Sequence, residues 1–522
     1  MNDQDFVHAR GVGLGEDRPE VFDDHRFSTL KRRVQVGDNQ DPPTPVGAGS
    51  DQGGRLGFGA TGTERTGPTG ISLDIEAAGL ELVGTLASFG VYGDPTASQR
   101  IKSELTHLTV QASSRQSYAG VARFHLLRRW ACRNDLTMHY LDHAATTPLH
   151  PAVIDAMVSV LRGSYGNPSG VHDISAAART VLEGARDSVA SFVGRRAREI
   201  VFTGGGTESL NLALRGVLRG DGPRPILLTS AIEHDAVRAT AEWLASTGQA
   251  DHETLPVSAA GILDIDAAEA AIARHAGQPL MVAVMAVNNE VGTVQPIAEL
   301  AQILAGQRQS TLVVDAVQAP VWLDLRPITA LADFVALSAH KFGGPKGVGV
   351  LTVREGRSIT PLLHGGGQER ERRSGTQNVA GIVGLAAAAE ITDAERTAVV
   401  ARVGRLRDRL VDGVLASVDG CVETVADRST KVAGNAHLTI DDVESEAVLV
   451  LLNEAGIAAS AGSACASGAL HLSPVLLAMG VTKERAGGAL RLTLGAASTE
   501  DDVTAVLAAL PGVVAQLRRT RR

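Results

Sequence analysis

Cysteine is scarce in this chain. Only Cys132, Cys421 and Cys465 occur in 522 residues. An odd, sparse set does not build a disulfide framework, and no two are spaced C-x-x-C, so a zinc or redox pair is not indicated. A reducing compartment fits. Aromatic residues make up 3% of the chain, so the core must be packed by aliphatic side chains. Excess positive charge is missing too: 49 Lys and Arg stand against 58 Asp and Glu, a formal net charge of −9. That excludes a general basic surface, and no direct nucleic-acid ligand is expected. The short basic end Leu517-Arg518-Arg519-Thr520-Arg521-Arg522 reads as a solvated tail. Long apolar runs are absent. The run from Met281 to Val287 is far too short to span a bilayer. The opening Met1-Asn2-Asp3-Gln4-Asp5 lacks the basic and apolar regions of a signal peptide. The expectation is a cytoplasmic protein with no membrane partner.

What is present divides the chain. Residues 1–137 contain Pro42-Pro43-Thr44-Pro45 and a Gly-rich stretch from Gly47 to Gly70, with few sustained apolar periods. They read as a disordered or misassigned N-terminal extension, with Met138 as an alternative start. From Met138 onward, helical and strand patterns alternate. Helical spacing covers Ala152 to Leu161 and Ile174 to Val193. Buried-strand runs cover 199–203, 226–229, 281–287, 311–314 and 334–337. This is the pattern of an α/β fold with a mostly parallel sheet, which binds ligands at the carboxyl ends of its strands. A charged helical stretch from Asp393 to Leu415 then leads to strand signals at Ala436 to Ile440 and Ala489 to Leu494. The expected division is a large domain, 151–394, and a smaller α+β domain formed by 138–150 and 395–522.

Residues able to do chemistry fall at the strand ends. Lys341, in Ser338-Ala339-His340-Lys341, follows the 334–337 run and precedes a Gly-rich turn. Such a lysine can form a Schiff base with pyridoxal phosphate, with Ser338 and His340 donating to the phosphate; it can equally be a surface lysine. Asp315 ends the 311–314 run, with Gln318 three residues on. A carboxylate there can hold a pyridinium nitrogen, and Gln318 can reach a ring hydroxyl; an ordinary helix cap is the alternative. Gly204-Gly205-Gly206-Thr207 opens a helical run, Leu210 to Leu218, as a phosphate-binding helix start does. A plain glycine turn with a Thr cap looks the same. His234 can stack on a ring and move protons, or be structural. Asn289 can bond a ring oxygen, or form an Asx turn. Cys465 lies in Ser463-Ala464-Cys465-Ala466-Ser467-Gly468, a segment of small residues with nothing to bury its thiol. That makes it a candidate nucleophile. Arg491, on a strand, can clamp an α-carboxylate or form a salt bridge. No metal-ligand spacing is evident.

Singly these signals are weak; their order is specific. Leu141-Asp142-His143-Ala144-Ala145-Thr146-Thr147-Pro148, Gly166-Asn167-Pro168-Ser169, 202–209, Glu233-His234, 288–292, Asp315/Gln318 and 338–347 come in succession. Gly365-Gly366-Gly367-Gln368-Glu369-Arg370, Arg373-Ser374-Gly375-Thr376 and the Cys465 segment follow. From Met138 almost to its end, the chain resembles the cysteine desulfurases of the NifS/IscS type, in the class V aminotransferase family. The resemblance implies the type I pyridoxal-phosphate transferase fold and a homodimer acting on L-cysteine. It implies Lys341 as the Schiff-base lysine, His234 as the ring-stacking acid/base and Asp315 on the pyridine nitrogen. Asn289 and Gln318 would lie near the ring oxygen. Gly206, Thr207, Ser338 and His340 would hold the phosphate, with Thr376 contributed across the dimer. Asn167 and Arg491 would bind the substrate carboxylate. Cys465 would carry a persulfide to an acceptor protein, an iron–sulfur scaffold or a tRNA-thiolation enzyme. The segment around Cys465 resembles the family's long-loop group. Gly206 stands where many relatives carry Ala. Another class V enzyme, a selenocysteine lyase or an idle scaffold that only binds acceptors are the rival readings.

Overall fold

The computed structural model describes residues 138–218, 224–462 and 472–520. The expectations for residues 1–137 and for Cys465 lie outside the described residues. Seven strands form the main sheet: β2 (Ile200–Thr203), β3 (Ile226–Ser230), β4 (Asp251–Leu255), β5 (Leu280–Met285), β6 (Ser310–Asp315), β7 (Phe334–Ser338) and β8 (Gly349–Val353). Their spatial order is β2-β8-β7-β6-β5-β3-β4. Neighbours from β7 to β4 are parallel, and β8 alone runs against both β7 and β2. The expected α/β fold with a mostly parallel sheet is therefore present. The inner strands are apolar throughout because both faces of the sheet are covered. In β5, Val282 and Val284 pack into one apolar cluster, whereas Met281 and Ala283 pack into the cluster on the other face. Strand β4 (Asp-His-Glu-Thr-Leu) lies at the edge, where its charged side chains reach water.

Helices α1 (Pro151–Gly163), α2 (Asp173–Val193), α5 (Ile265–Arg274), α6 (Ile297–Leu304) and α7 (Leu325–Leu331) bury their apolar residues in the first cluster. Helices α3 (Gly206–Val217) and α4 (Asp235–Ser246) cover the other face. Helix α8 (Val379–Ser417) starts well before the Asp393 expected from its charged stretch. Its first turns are buried on every side, including Ile382, Leu385, Ala386 and Ala389, so they carry no polar face that a helical period would reveal. The boundary expected at 394/395 falls inside this helix. Its second half, from Val399 to Val414, packs into a separate core with α9 (Ser445–Glu454) and α12 (Glu500–Thr520). That core also takes up a small antiparallel sheet of β12 (Ala489–Thr493), β10 (Asn435–Ile440) and β9 (Cys421–Glu423). Two short helices, α10 (Pro474–Ala478) and α11 (Lys483–Ala486), lead into β12.

The segment after Met138 crosses between the two cores. Strand β1 (His139–Tyr140) pairs in parallel with β11 (Ile457–Ala458). Beyond it, Thr493 N donates to Leu141 O at 2.7 Å, and Ala144 N donates to Thr493 Oγ1 at 2.9 Å. This lays residues 141–144 beside the end of β12, facing the strand ends of the main sheet. Among the described residues, no helix is long and apolar enough to cross a membrane.

Candidate active site

A cavity of about 670 Å³ opens at the carboxyl ends of β3, β5, β6 and β7. Its lining contains Gly206, Thr207, His234, Asn289, Asp315, Gln318, Ser338, His340, Lys341 and Arg491, together with Asp142 and Glu233. Asn167 and Thr376 lie outside this lining and are exposed. The chain is thus folded so that residues far apart in sequence meet where parallel strands end.

Lys341 closes a single 3-10 turn, Ala339–Lys341, directly after β7. Its Nζ donates to Ala144 O at 2.6 Å and to Ala145 O at 2.9 Å. Burial pushes its ammonium down to about 8, and the Arg491 guanidinium adds to this, against the charges of Asp315 and Asp142. A fraction of the amine is therefore neutral, and able to add to a carbonyl, close to physiological pH. Asp315 is the last residue of β6 and is buried. Burial raises its pKa, opposed by the bond that Oδ1 accepts from Val317 N and by the charges of His234 and Lys341. Such a carboxylate gains from a cationic partner. His234 caps α4: its Nδ1 accepts from Ala236 N at 3.0 Å, which leaves the hydrogen of the neutral ring on Nε2. Gln318 donates through Nε2 to Ala144 O at 2.8 Å, and His340 Nδ1 lies 3.1 Å from Thr146 Oγ1.

The glycine run ends in a helix start earlier than its apolar pattern suggested. Helix α3 begins at Gly206, not Leu210, because Gly205 turns the chain at φ +152°, a region that favours glycine. Among the described residues, no backbone carbonyl accepts from Gly206 N or Thr207 N, so these donors stand free at the positive end of the helix. A methyl added at Gly206 would meet Val317 Cγ2 at 2.7 Å. Val317 fills the room that an alanine would take. A nearby loop is tied to this corner: Glu208 accepts from Gly204 N at 2.7 Å and from Arg373 Nε at 2.8 Å. In the same loop Glu369, Arg370 and Glu371 all have positive φ, and Glu369 takes two bonds from Arg186, at 2.8 and 2.9 Å. Three successive strained residues are held in place by that buried ion pair.

The class-V aminotransferase profile matches residues 139–506. Over 386 residues the chain is 45% identical to the IscS-like cysteine desulfurase of Mycobacterium tuberculosis (strain ATCC 25618 / H37Rv), covering 73% of this chain and 98% of that protein. The chain belongs to the cysteine desulfurases of the class-V aminotransferase family. Among solved structures, a NifS-like protein is similar at a TM-score of 0.67 and 33% identity, covering 72% of this chain and 99% of that one. SspA in complex with cysteine is similar at a TM-score of 0.59 and 30% identity, covering 68% and 98%. The enzyme therefore has the pyridoxal-phosphate-dependent fold of this family. Its residues fit the cofactor: two free N–H donors at a helix start suit a phosphate, a buried carboxylate suits a pyridinium, and a lysine of depressed pKa suits an aldehyde.

Glu233 belongs to the Glu233-His234 motif, but the sequence assigned it no role of its own in the site. It is buried beside Asp315 on the cavity wall. Its Oε1 accepts from Ser230 Oγ and, at 3.0 Å, from Met285 N, so it ties the end of β3 to the end of β5. Among the described residues its Oε2 is buried without a partner. Burial pushes this carboxyl up to about 8, with the negative charge of Asp315 adding to the effect. The folded state thus holds a proton that the unfolded state releases near the ordinary carboxyl pKa. Stability from this group is full at acid pH and is lost as pH rises towards 8. Glu233→Gln stays neutral and keeps the accepting oxygen. The difference in Tm between Glu233→Gln and the parent should therefore grow from pH 5 to pH 8, by up to about 1.4 kcal/mol of stability per pH unit. A difference independent of pH would mean that Glu233 is ionised in the fold.

Proposed function

We propose that the enzyme moves the sulfur of L-cysteine onto Cys465, releases L-alanine, and passes the sulfur to an acceptor protein in iron–sulfur cluster assembly or tRNA thiolation. The observation that carries this reading is the meeting of Lys341, Asp315 and Arg491 in one cavity, beneath free N–H donors at the start of α3. SspA, a solved relative bound to cysteine, supports cysteine as the substrate.

Gly206, Thr207, Ser338 and His340 would hold the cofactor phosphate, Asp315 would pair with the ring nitrogen, and Asn289 and Gln318 would serve the ring oxygen. Bound there, pyridoxal phosphate withdraws electrons from the substrate's α-carbon and lowers the cost of losing its proton. Arg491 receives the α-carboxylate, which orients the substrate, and Asn167 joins it by moving in from outside the cavity lining. Lys341, as a free amine, takes the α-proton and returns it. His234 takes up the proton of the substrate thiol or of Cys465 on Nδ1, which must first give up the bond from Ala236 N. The Cys465 thiolate then attacks the substrate sulfur. A sulfur–sulfur bond forms and the carbon–sulfur bond breaks, with its electron pair staying on the carbon that becomes the methyl of alanine.

The working unit in this reading is a cytoplasmic homodimer, with Thr376 reaching the partner's phosphate site. Residues 151–394 form the cofactor-binding domain, and residues 138–150 with 395–522 form the domain that carries Cys465. The separate apolar cores of the main sheet and of β9, β10 and β12 support that division.

The purified protein should be yellow, and L-cysteine with dithiothreitol should give alanine and sulfide in equal amounts. A protein that stays colourless and inert after pyridoxal phosphate is supplied would overturn this reading. Alanine without sulfide would overturn the sulfur transfer.

A further inference from the structure

Arg491 offers five N–H donors, and their partners are unequal. Both hydrogens on Nη1 are committed to backbone carbonyls, Asn289 O at 2.9 Å and Gly462 O at 3.0 Å. These two bonds fix the plane of the guanidinium. Nη2 donates to Asp142 Oδ1 at 2.8 Å, and among the described residues Nε is buried without a partner. Nε and Nη2 lie on one edge of the group, the edge that grips a carboxylate through two parallel bonds. Half of that fork is already taken by a carboxylate of the chain itself, and the other half is unengaged.

We propose that Asp142 is an internal competitor for the substrate's α-carboxylate: it occupies Nη2 of Arg491 until the substrate displaces it, and so holds KM above the value Arg491 alone would give. The proposal rests on the reading of Arg491 as the carboxylate anchor. Its physical logic is that a nearly buried guanidinium left without a counter-charge is costly, so an empty site needs an acidic partner. A substrate carboxylate that reaches the Nε–Nη2 edge supplies the same charge with a second hydrogen bond, and Asp142, half-buried at the cavity wall, turns to solvent. Affinity given up in this way does not slow the chemistry, because the interaction is the same in the ground state and the transition state. The backbone of Asp142 does not depend on its carboxylate. The bonds of Thr493 with Leu141, His143 and Ala144 hold this segment, and Tyr140 Oη donates to Asp142 O at 3.0 Å.

The test uses the cofactor-loaded enzyme and two ligands: L-cysteine as substrate, and L-cysteine methyl ester, which lacks the anionic carboxylate, as inhibitor. Asp142→Asn should lower KM for L-cysteine by about three- to tenfold, the net scale of one hydrogen bond, with a smaller change in kcat. The inhibition constant of the ester should stay within about twofold, since no carboxylate contact is at stake. An unchanged or raised KM, or an equal shift for both ligands, would overturn the competitor role. Arg491→Gln separates the two layers. If it raises KM for L-cysteine and leaves the ester unmoved, the anchor reading stands whatever Asp142→Asn does. If it moves both ligands alike, the anchor reading fails and the proposal falls with it. An unchanged visible band in both variants shows that the cofactor site is intact.

Discussion

Lys341→Ala should lower alanine formation from L-cysteine by at least about 10³-fold, and Lys341→Arg should lower it as far. Both variants should fold, because Lys341 packs no core: among the described residues its Nζ bonds only the carbonyls of Ala144 and Ala145 at the cavity wall. The pair of variants separates charge from chemistry. Arginine keeps the positive charge beside Asp315, but it neither forms a carbon–nitrogen double bond with an aldehyde nor gives up its proton in the working pH range. In the proposed reading the native amine does both, because burial and Arg491 bring it down to about 8. Cofactor capture by the apo-enzyme should therefore speed up as pH rises through about 8, where the ammonium loses its proton. Visible absorbance after desalting, read beside alanine formation, checks this. Lys341→Arg at parental rates would remove Lys341 from the chemistry.

The parts of this site that were legible in the sequence are those where a reactive residue directly follows a buried apolar run. Asp315 after Leu312-Val313-Val314 and Lys341 after Phe334-Val335-Ala336-Leu337 read as strand-end residues because parallel strands covered on both faces leave no polar alternation to confuse the pattern. The parts that were not legible depend on distant partners. Glu233 looks like an ordinary polar residue until β5 places Met285 N on its carboxyl, 52 residues further on. Asp142 belongs to a recognisable motif, yet its bond to Arg491 joins positions 349 residues apart, and no local pattern predicts it. The reversed strand β8 has the same apolar look as its parallel neighbours, since direction leaves no trace in composition. The start of α8 was hidden by its burial on all sides, and the true start of α3 by a backbone turn at Gly205.

Cys465→Ala should lower sulfide release from L-cysteine under mild reductant by at least about 10²-fold, while L-cysteine still changes the visible spectrum. In the proposed reading, binding and proton removal depend on Arg491, Asp315 and Lys341, which the substitution leaves intact; only the acceptor of the sulfur is gone. The comparison that gives this weight is Cys421. That thiol sits half-buried in β9, and burial pushes it up to about 11, against the favourable charge of Arg518. At neutral pH it is protonated and a poor nucleophile, and it lies outside the cavity lining. Cys421→Ala should therefore leave sulfide release at the parental rate. Mass analysis of the parent enzyme, quenched during turnover without reductant, should find one extra sulfur atom on the peptide containing Cys465 and none on the peptide containing Cys421. If Cys465→Ala releases sulfide as fast as the parent, the sulfur leaves the substrate without passing through this thiol. The segment around Cys465 would then owe its run of small residues to something other than carrying a persulfide.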